Sequence, residues 1–149
     1  MSTVFKQLNT DWNAQPDSSN TRVTVNDNEV VLAFYMNAFQ FPEFREDDIG
    51  YLRFSNPWRY RVGTVSAEDF YRGTCRFSRL APAWGEFYEV SGDLLLKKCP
   101  DDWTEVGPRT ETQKHFLFYF RDEEIEIDAE SWMLQVCNER REITMERRT

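Results

Sequence analysis

A mainly β fold is what this sequence predicts, and three observations predict it. Aromatic residues are abundant, with 12 Phe, 6 Tyr and 5 Trp in 149 residues. Many alternate with polar residues, the period-two pattern of a half-buried strand. Turn formers recur at short intervals between the alternating runs. Together they specify an antiparallel sandwich or small barrel of about 7–8 strands with a C-terminal helix, and they leave room for a short N-terminal one. The length suits a single globular domain over residues 1–149, with 139–149 as a frayed tail. Each ring can bury on the order of 150–250 Å², so the core needs no disulfides to drive folding.

Val4, Phe5, Leu8 and Trp12 sit at helical spacing behind Ser2 or Thr3, which predicts a short helix over 1–13. Residues 14–21 are turn formers. Val23 and Val25, a turn at Asn26-Asp27-Asn28, and then Val30, Leu32, Phe34 and Met36 on one face define a hairpin. From Ala38 to Asp48, Phe39, Phe41 and Phe44 flank Pro42 and an acidic run, a long connection whose rings would pack over a sheet edge. Strands over Tyr51 to Phe54 and Trp58 to Val62 are separated at Asn56-Pro57, since proline cannot donate within a ladder. In the second, Trp58, Tyr60 and Val62 oppose Arg59 and Arg61. Phe70 to Ser78 repeats the pattern, with Tyr71, Gly73, Cys75 and Phe77 opposite Arg72, Thr74, Arg76 and Ser78.

Glu86 to Ser91 reads as a strand, followed by a bulge at Gly92-Asp93 before Leu94 to Leu96. Lys97 to Gln113 is a polar loop anchored by Trp103. His115 to Phe120 and Glu124 to Asp128 form a second hairpin around Arg121-Asp122-Glu123. Asp128 then caps the C-terminal helix, whose Trp132, Met133, Val136 and Cys137 lie on one stripe.

The formal charge of −8 argues against nucleic acid as a partner, because phosphate affinity needs a cationic surface. Charge is uneven, however: six arginines lie between Arg53 and Arg79 against only Glu68 and Asp69. Alternation puts Arg59, Arg61, Arg72 and Arg76 on one surface. Cross-strand ion pairing on a solvated face is the plainer use of such a patch. A site for an anion or an acidic partner is the sharper one, and 14 Arg against 4 Lys favours bidentate contacts. Three cysteines without C-x-x-C spacing suggest free thiols in a reducing compartment. Met1 to Trp12 lacks the apolar run of a signal peptide, and no stretch is long and apolar enough to cross a bilayer. The expected location is cytoplasmic, with no membrane partner.

Chemistry is hard to assemble. His115 is the single histidine, so any Ser-His-Asp or Cys-His site would need it, yet no G-x-S-x-G elbow exists; a structural or surface role is expected. Zinc would draw on clustered Cys and His. Asp47, Asp48, Asp101 and Asp102 lack EF-hand spacing, and the glycines lack phosphate-loop spacing. Neither metal nor cofactor is therefore expected. Glu86 and Glu89 lie near rings, where burial raises a carboxylate pKa, but three apart on a strand they point to opposite faces. Salt bridges to the arginines suit them better.

The expectation is a non-enzymatic binding protein that recognises a protein partner in an immunity- or adaptor-like manner, with electrostatic steering of a basic partner. One alternative is a small-molecule carrier whose barrel interior is lined by Trp58, Tyr60, Phe77, Phe118 and Phe120. Another is an enzyme whose Arg59, Arg61, Arg72 and Arg76 hold an anionic substrate.

Overall fold

Strands form wherever alternation meets a partner. The computed structural model describes residues 3–17, 20–73, 77, 83–92, 100–138 and 141–147. Its elements are β1 (Val4–Gln7), β2 (Arg22–Asn26), β3 (Glu29–Tyr35), β4 (Ile49–Ser55), β5 (Arg59–Thr64), α1 (Ala67–Arg72), β6 (Phe87–Ser91), β7 (Thr104–Glu105), β8 (Lys114–Tyr119), β9 (Glu123–Ala129), β10 (Ser131–Asn138) and β11 (Arg141–Arg147). They make two antiparallel sheets, one in the order β1-β6-β8-β9-β5-β7 and the other β11-β10-β4-β3-β2. Two expected hairpins are present, β2–β3 and β8–β9. In the first, Asn28 takes the left-handed conformation (φ 58°) that asparagine tolerates in a tight turn.

The sheets face each other across a core of rings. Phe54 of β4 lies 5.3 Å from Phe116 of β8, and Phe34 of β3 lies 5.6 Å from Phe118. Trp132 of β10 meets Phe87 of β6 edge-on at 5.2 Å. Trp12, fully buried, is wedged among Phe34, Phe87, Phe118 and Trp132. The chain changes sheet at two sharp corners. One is Asn56-Pro57, where the expected strand break carries the backbone from β4 to β5. The other is Glu130, whose N–H donates to the Ser55 carbonyl between β9 and β10.

Four expectations need correction. The N-terminal helix is absent: Val4 and Phe5 belong to β1, which pairs with β6, while Leu8 and Trp12 enter the core. Helical spacing there was a coincidence of two separate uses. The strand expected over 70–78 begins instead inside α1, because Ser66 and Asp69 form a capping box and Gly73 (φ 83°) ends the helix. The C-terminal helix is replaced by β10, in which Trp132, Leu134 and Val136 are buried on one face. Seven residues of β10 register against β4 and seven against β11, so pairing on both sides overrides a stripe only two turns long. Finally, the described strands form two open sheets and do not close into a barrel.

Candidate functional site

The arginines of β5 are answered by carboxylates in register. Arg59 lies opposite Asp128 and Arg61 opposite Glu126, while His115 of β8 lies opposite Asp128. Since alternate residues share a face, all of these point away from the ring core. Arg59 Nε donates to Asp128 Oδ2 at 2.7 Å. Arg61 Nη1 reaches Glu126 Oε2 at 2.8 Å and Glu124 Oε1 at 3.2 Å, and its Nε and Nη2 grip both oxygens of Asp102. Above this ladder stands a stack of rings and cations. Arg109 lies 4.8 Å from the Trp58 ring, Arg59 lies 3.9 Å from both Trp58 and Trp103, and Trp103 meets His115 edge-on at 5.9 Å.

His115 is the centre of the network. Its Nδ1 is 2.7 Å from Asp128 Oδ1 and its Nε2 is 2.6 Å from Glu126 Oε1. A carboxylate only accepts, so both ring nitrogens must donate and the ring is an imidazolium. Burial pulls its pKa down, but the hydrogen bonds and charges of Asp128 and Glu126 outweigh that and raise it to about 9. Asp128 shows the converse: burial pushes its carboxyl up, and His115 and Arg59 bring it below the ordinary value. With both nitrogens committed to buried partners, His115 has no lone pair to act as base or nucleophile. Arg61 is committed through three of its nitrogens and Arg59 through its Nε. The plainer expectation, cross-strand pairing, describes them.

The other expected site residues scatter. Arg72 is exposed on α1, where it pairs with Glu68 one turn away. Arg76 lies outside the described residues, as do Cys75 and Cys99. Tyr60 packs against the main core, which contains Phe118 and Phe120, whereas Phe77 sits in a second cluster with Phe70, Tyr88, Val90, Leu117 and Tyr119. Trp58 belongs to the outer stack. These five rings share no lumen, and Phe118 and Phe120 are stacked on each other at 4.3 Å. Among the described residues no cluster of His, Cys, Asp and Glu is arranged to hold a metal. No described helix is long and apolar enough to cross a membrane.

At the other end of β8 lies a different feature. Five separated segments converge there on a groove of about 340 Å³: Asn13–Asp17, Asn37 with Gln40, Ala67, Trp84–Glu86 and Tyr119–Arg121. Buried Asn9 fixes one wall, accepting from the Phe87 N–H and donating to the Trp12 carbonyl and to Glu86 Oε2. Asn13 Nδ2 donates to the Gly85 carbonyl at 2.7 Å, and the Asn37 N–H donates to the Asn13 carbonyl at 2.9 Å. Arg121 Nη1 clasps the Asp17 carbonyl at 2.6 Å. The groove is therefore held by hydrogen bonds rather than left to loop motion.

Two clefts adjoin it through shared residues, one lined by Gln15, Met36, Ala38, Phe39 and Glu46, the other by residues from Asp17 to Glu123. Among the described residues lining all three, Asp17, Glu46, Glu86, Asp122 and Glu123 stand with Arg121 as the one cation. Phe39, on the loop after β3, is 98% exposed at the rim. It was expected to pack over a sheet edge, as Phe41 and Phe44 do pack against the core. Instead the rings of that loop divide, two inward and one outward.

Glu86 differs from the expected arginine partner. Its Oε2 accepts from Asn9 Nδ2 at 2.7 Å and Gln7 Nε2 at 3.0 Å, both neutral amides. Burial raises its pKa, an effect the Asn9 hydrogen bond partly offsets. Sequence reasoning missed Glu124, Glu126 and Asp102 as members of the ladder, although the Glu-Ile-Glu-Ile-Asp alternation of 124–128 matches Arg-Tyr-Arg of 59–61 as a cross-strand complement. It also missed the groove, which no local pattern announces. Compared with known proteins, the chain matches no protein-family model, no curated protein and no solved structure.

Proposed function

We propose that this chain is a binding protein for a basic protein partner, which docks across the acidic groove at the end of β8 and engages Phe39. The observation that carries this is the pairing of a fully exposed ring with concavities in which, among the described residues, carboxylates outnumber cations five to one. An exposed aromatic beside a concavity offers anchor area, and interface energy concentrates in aromatic anchors within desolvated pockets. Acidic surroundings steer and select a basic partner more than they tighten it. The overall charge of −8 acts in the same direction at long range. An immunity-like role, in which an acidic domain neutralises a basic protein, is one instance of this function.

The test is capture from an extract of the native cell by the immobilised chain at low salt, side by side with Phe39→Ala. Phe39 supports no core packing, so the variant keeps the fold. A specific protein should be retained by the wild type, released by raised salt, and bound at least ~30-fold more weakly by Phe39→Ala, the effect of losing an anchor of about 2 kcal/mol. Equal retention by both forms, or none at low salt, would overturn the proposal.

A further inference from the structure

We propose that Glu86 and the neighbouring aromatic wall form a subsite for one basic side chain, the terminal ammonium or guanidinium of a lysine or arginine. The inference rests on the docking surface just described and names the group its deepest part accepts.

Glu86 lies just before the strand β6 and lines the groove together with Trp84 and the Asn13 segment. Its carboxylate is half-buried, and the described residues occupy only one of its oxygens. Oε2 takes both amide donors, from Asn9 and from Gln7, while Oε1 accepts no hydrogen bond from the described residues. No described cation pairs with Glu86. A half-buried charge met by neutral donors alone among the described residues is incompletely compensated. An incoming cation supplies what is missing, a charge-assisted hydrogen bond to Oε1 that is shorter and stronger than a neutral one.

The walls suit an organic cation rather than a metal ion. Trp84 and Tyr119 lie 4.7 Å apart, ring to ring, and both line the groove together with Phe120. Aromatic faces attract ammonium and guanidinium groups and also pack against the methylene stem. A hard cation such as calcium needs six or more oxygens. Here Asn13 Oδ1, Asn37 Oδ1 and Gln40 Oε1 are already accepting hydrogen bonds, from Ala14 N, Gln40 N and Asn37 Nδ2. The volume, about 340 Å³, stands at the lower end of small-ligand sites. That is room for one side chain and its backbone.

Asn9 preorganises this subsite. It is buried, and it ties Glu86, Phe87 and Trp12 together through one amide. Glu86 is thus presented in a fixed position before any ligand arrives, so less ordering entropy is lost on binding.

The experiment uses the full chain, ¹⁵N-labelled, and follows the Trp84 indole resonance. The probes are N-acetyl-lysine N-methylamide, its arginine counterpart, and N-acetyl-norleucine N-methylamide as an uncharged analogue of similar shape. Either basic probe should give a saturable shift with a Kd of ~1–10 mM, at least ~10-fold tighter than norleucine, consistent with one charged contact. Glu86→Gln keeps the shape and an acceptor for Asn9, and it should remove that preference. Equal shifts with all three probes overturn the proposal, as does a basic preference that survives Glu86→Gln, or no shift at Trp84 up to ~50 mM, weaker than a useful contact. If the wild type lacks the preference while Phe39-dependent capture persists, the subsite fails and the proposed function stands. If capture fails while the preference is found, the reverse holds.

Discussion

Raising the pH should unlock the ladder through its histidine. The imidazolium of His115 bridges Asp128 and Glu126 in a fully buried position, and its pKa is raised from 6.5 to about 9. At about 1.4 kcal/mol per pH unit, that difference is worth on the order of 3 kcal/mol of stability. The folded value lies above the unfolded one, so folding takes up a proton between them. The contribution is therefore complete below pH 6.5 and lost as the pH rises through about 9. Because the chain has a single histidine, its imidazole carbon-bound protons are directly assignable by NMR. Their titration midpoint should fall near 9 in the native protein.

Urea unfolding of the wild type and His115→Gln supplies the energetic half. Glutamine can donate to one carboxylate but has no charge to lose. The stability advantage of the wild type should shrink by roughly 3 kcal/mol between pH 6.5 and pH 10, a slope the variant lacks. Tyrosines and lysines that titrate in the same range affect both forms and cancel in the difference. A native imidazole midpoint at or below 6.5, or an advantage that does not change with pH, would refute the doubly donating imidazolium.

Two further substitutions test the packing around it. Arg61→Met should cost about 3–5 kcal/mol in a denaturation experiment, since it removes the guanidinium from Glu124 and Glu126, which are nearly inaccessible to water, and leaves the His115 imidazolium to face Glu126; a cost below about 1 kcal/mol would mean that the ladder is solvated like a surface pair. Gly50→Ala should cost about 1–3 kcal/mol by overpacking, because the added Cβ would come within 2.6 Å of Met36 Sδ and 2.9 Å of Phe34 Cε2, and a neutral or stabilising effect by thermal unfolding would show that these side chains yield freely.

What was legible in the sequence is what lies close together in it. The β2–β3 and β8–β9 hairpins have alternation on both arms and a turn of a few residues between them, so pattern and partner sit in one window. The capping box at Ser66 and Asp69 was equally local, yet the alternation over 70–78 reads as a strand in its place. The C-terminal segment was ambiguous in principle. Trp132, Met133, Val136 and Cys137 satisfy a helical stripe, while Trp132, Leu134 and Val136 satisfy strand alternation. The choice between them is made by β4, nearly eighty residues earlier, whose Leu52 and Phe54 register against Leu134 and Trp132. Propensity yields to such pairing because two ladders and a buried face outweigh a short stripe.

The same distance in sequence separates a charge from its meaning. Arg59 and Arg61 were visible as a basic face, and Glu124, Glu126 and Asp128 as an acidic strand, but only the register of β5 against β9 makes them one neutralised ladder. Glu86 is the mirror case: its partners, Gln7 and Asn9, are 79 and 77 residues away and are both uncharged. Read alone, the arginines advertise a site and the glutamate a salt bridge. Paired, the assignment reverses, because a charge is available to a ligand only to the extent that the fold has left it uncompensated. The functional candidate in this chain is thus a carboxylate expected to pair with arginine and met instead by two amides from a segment expected to be a helix.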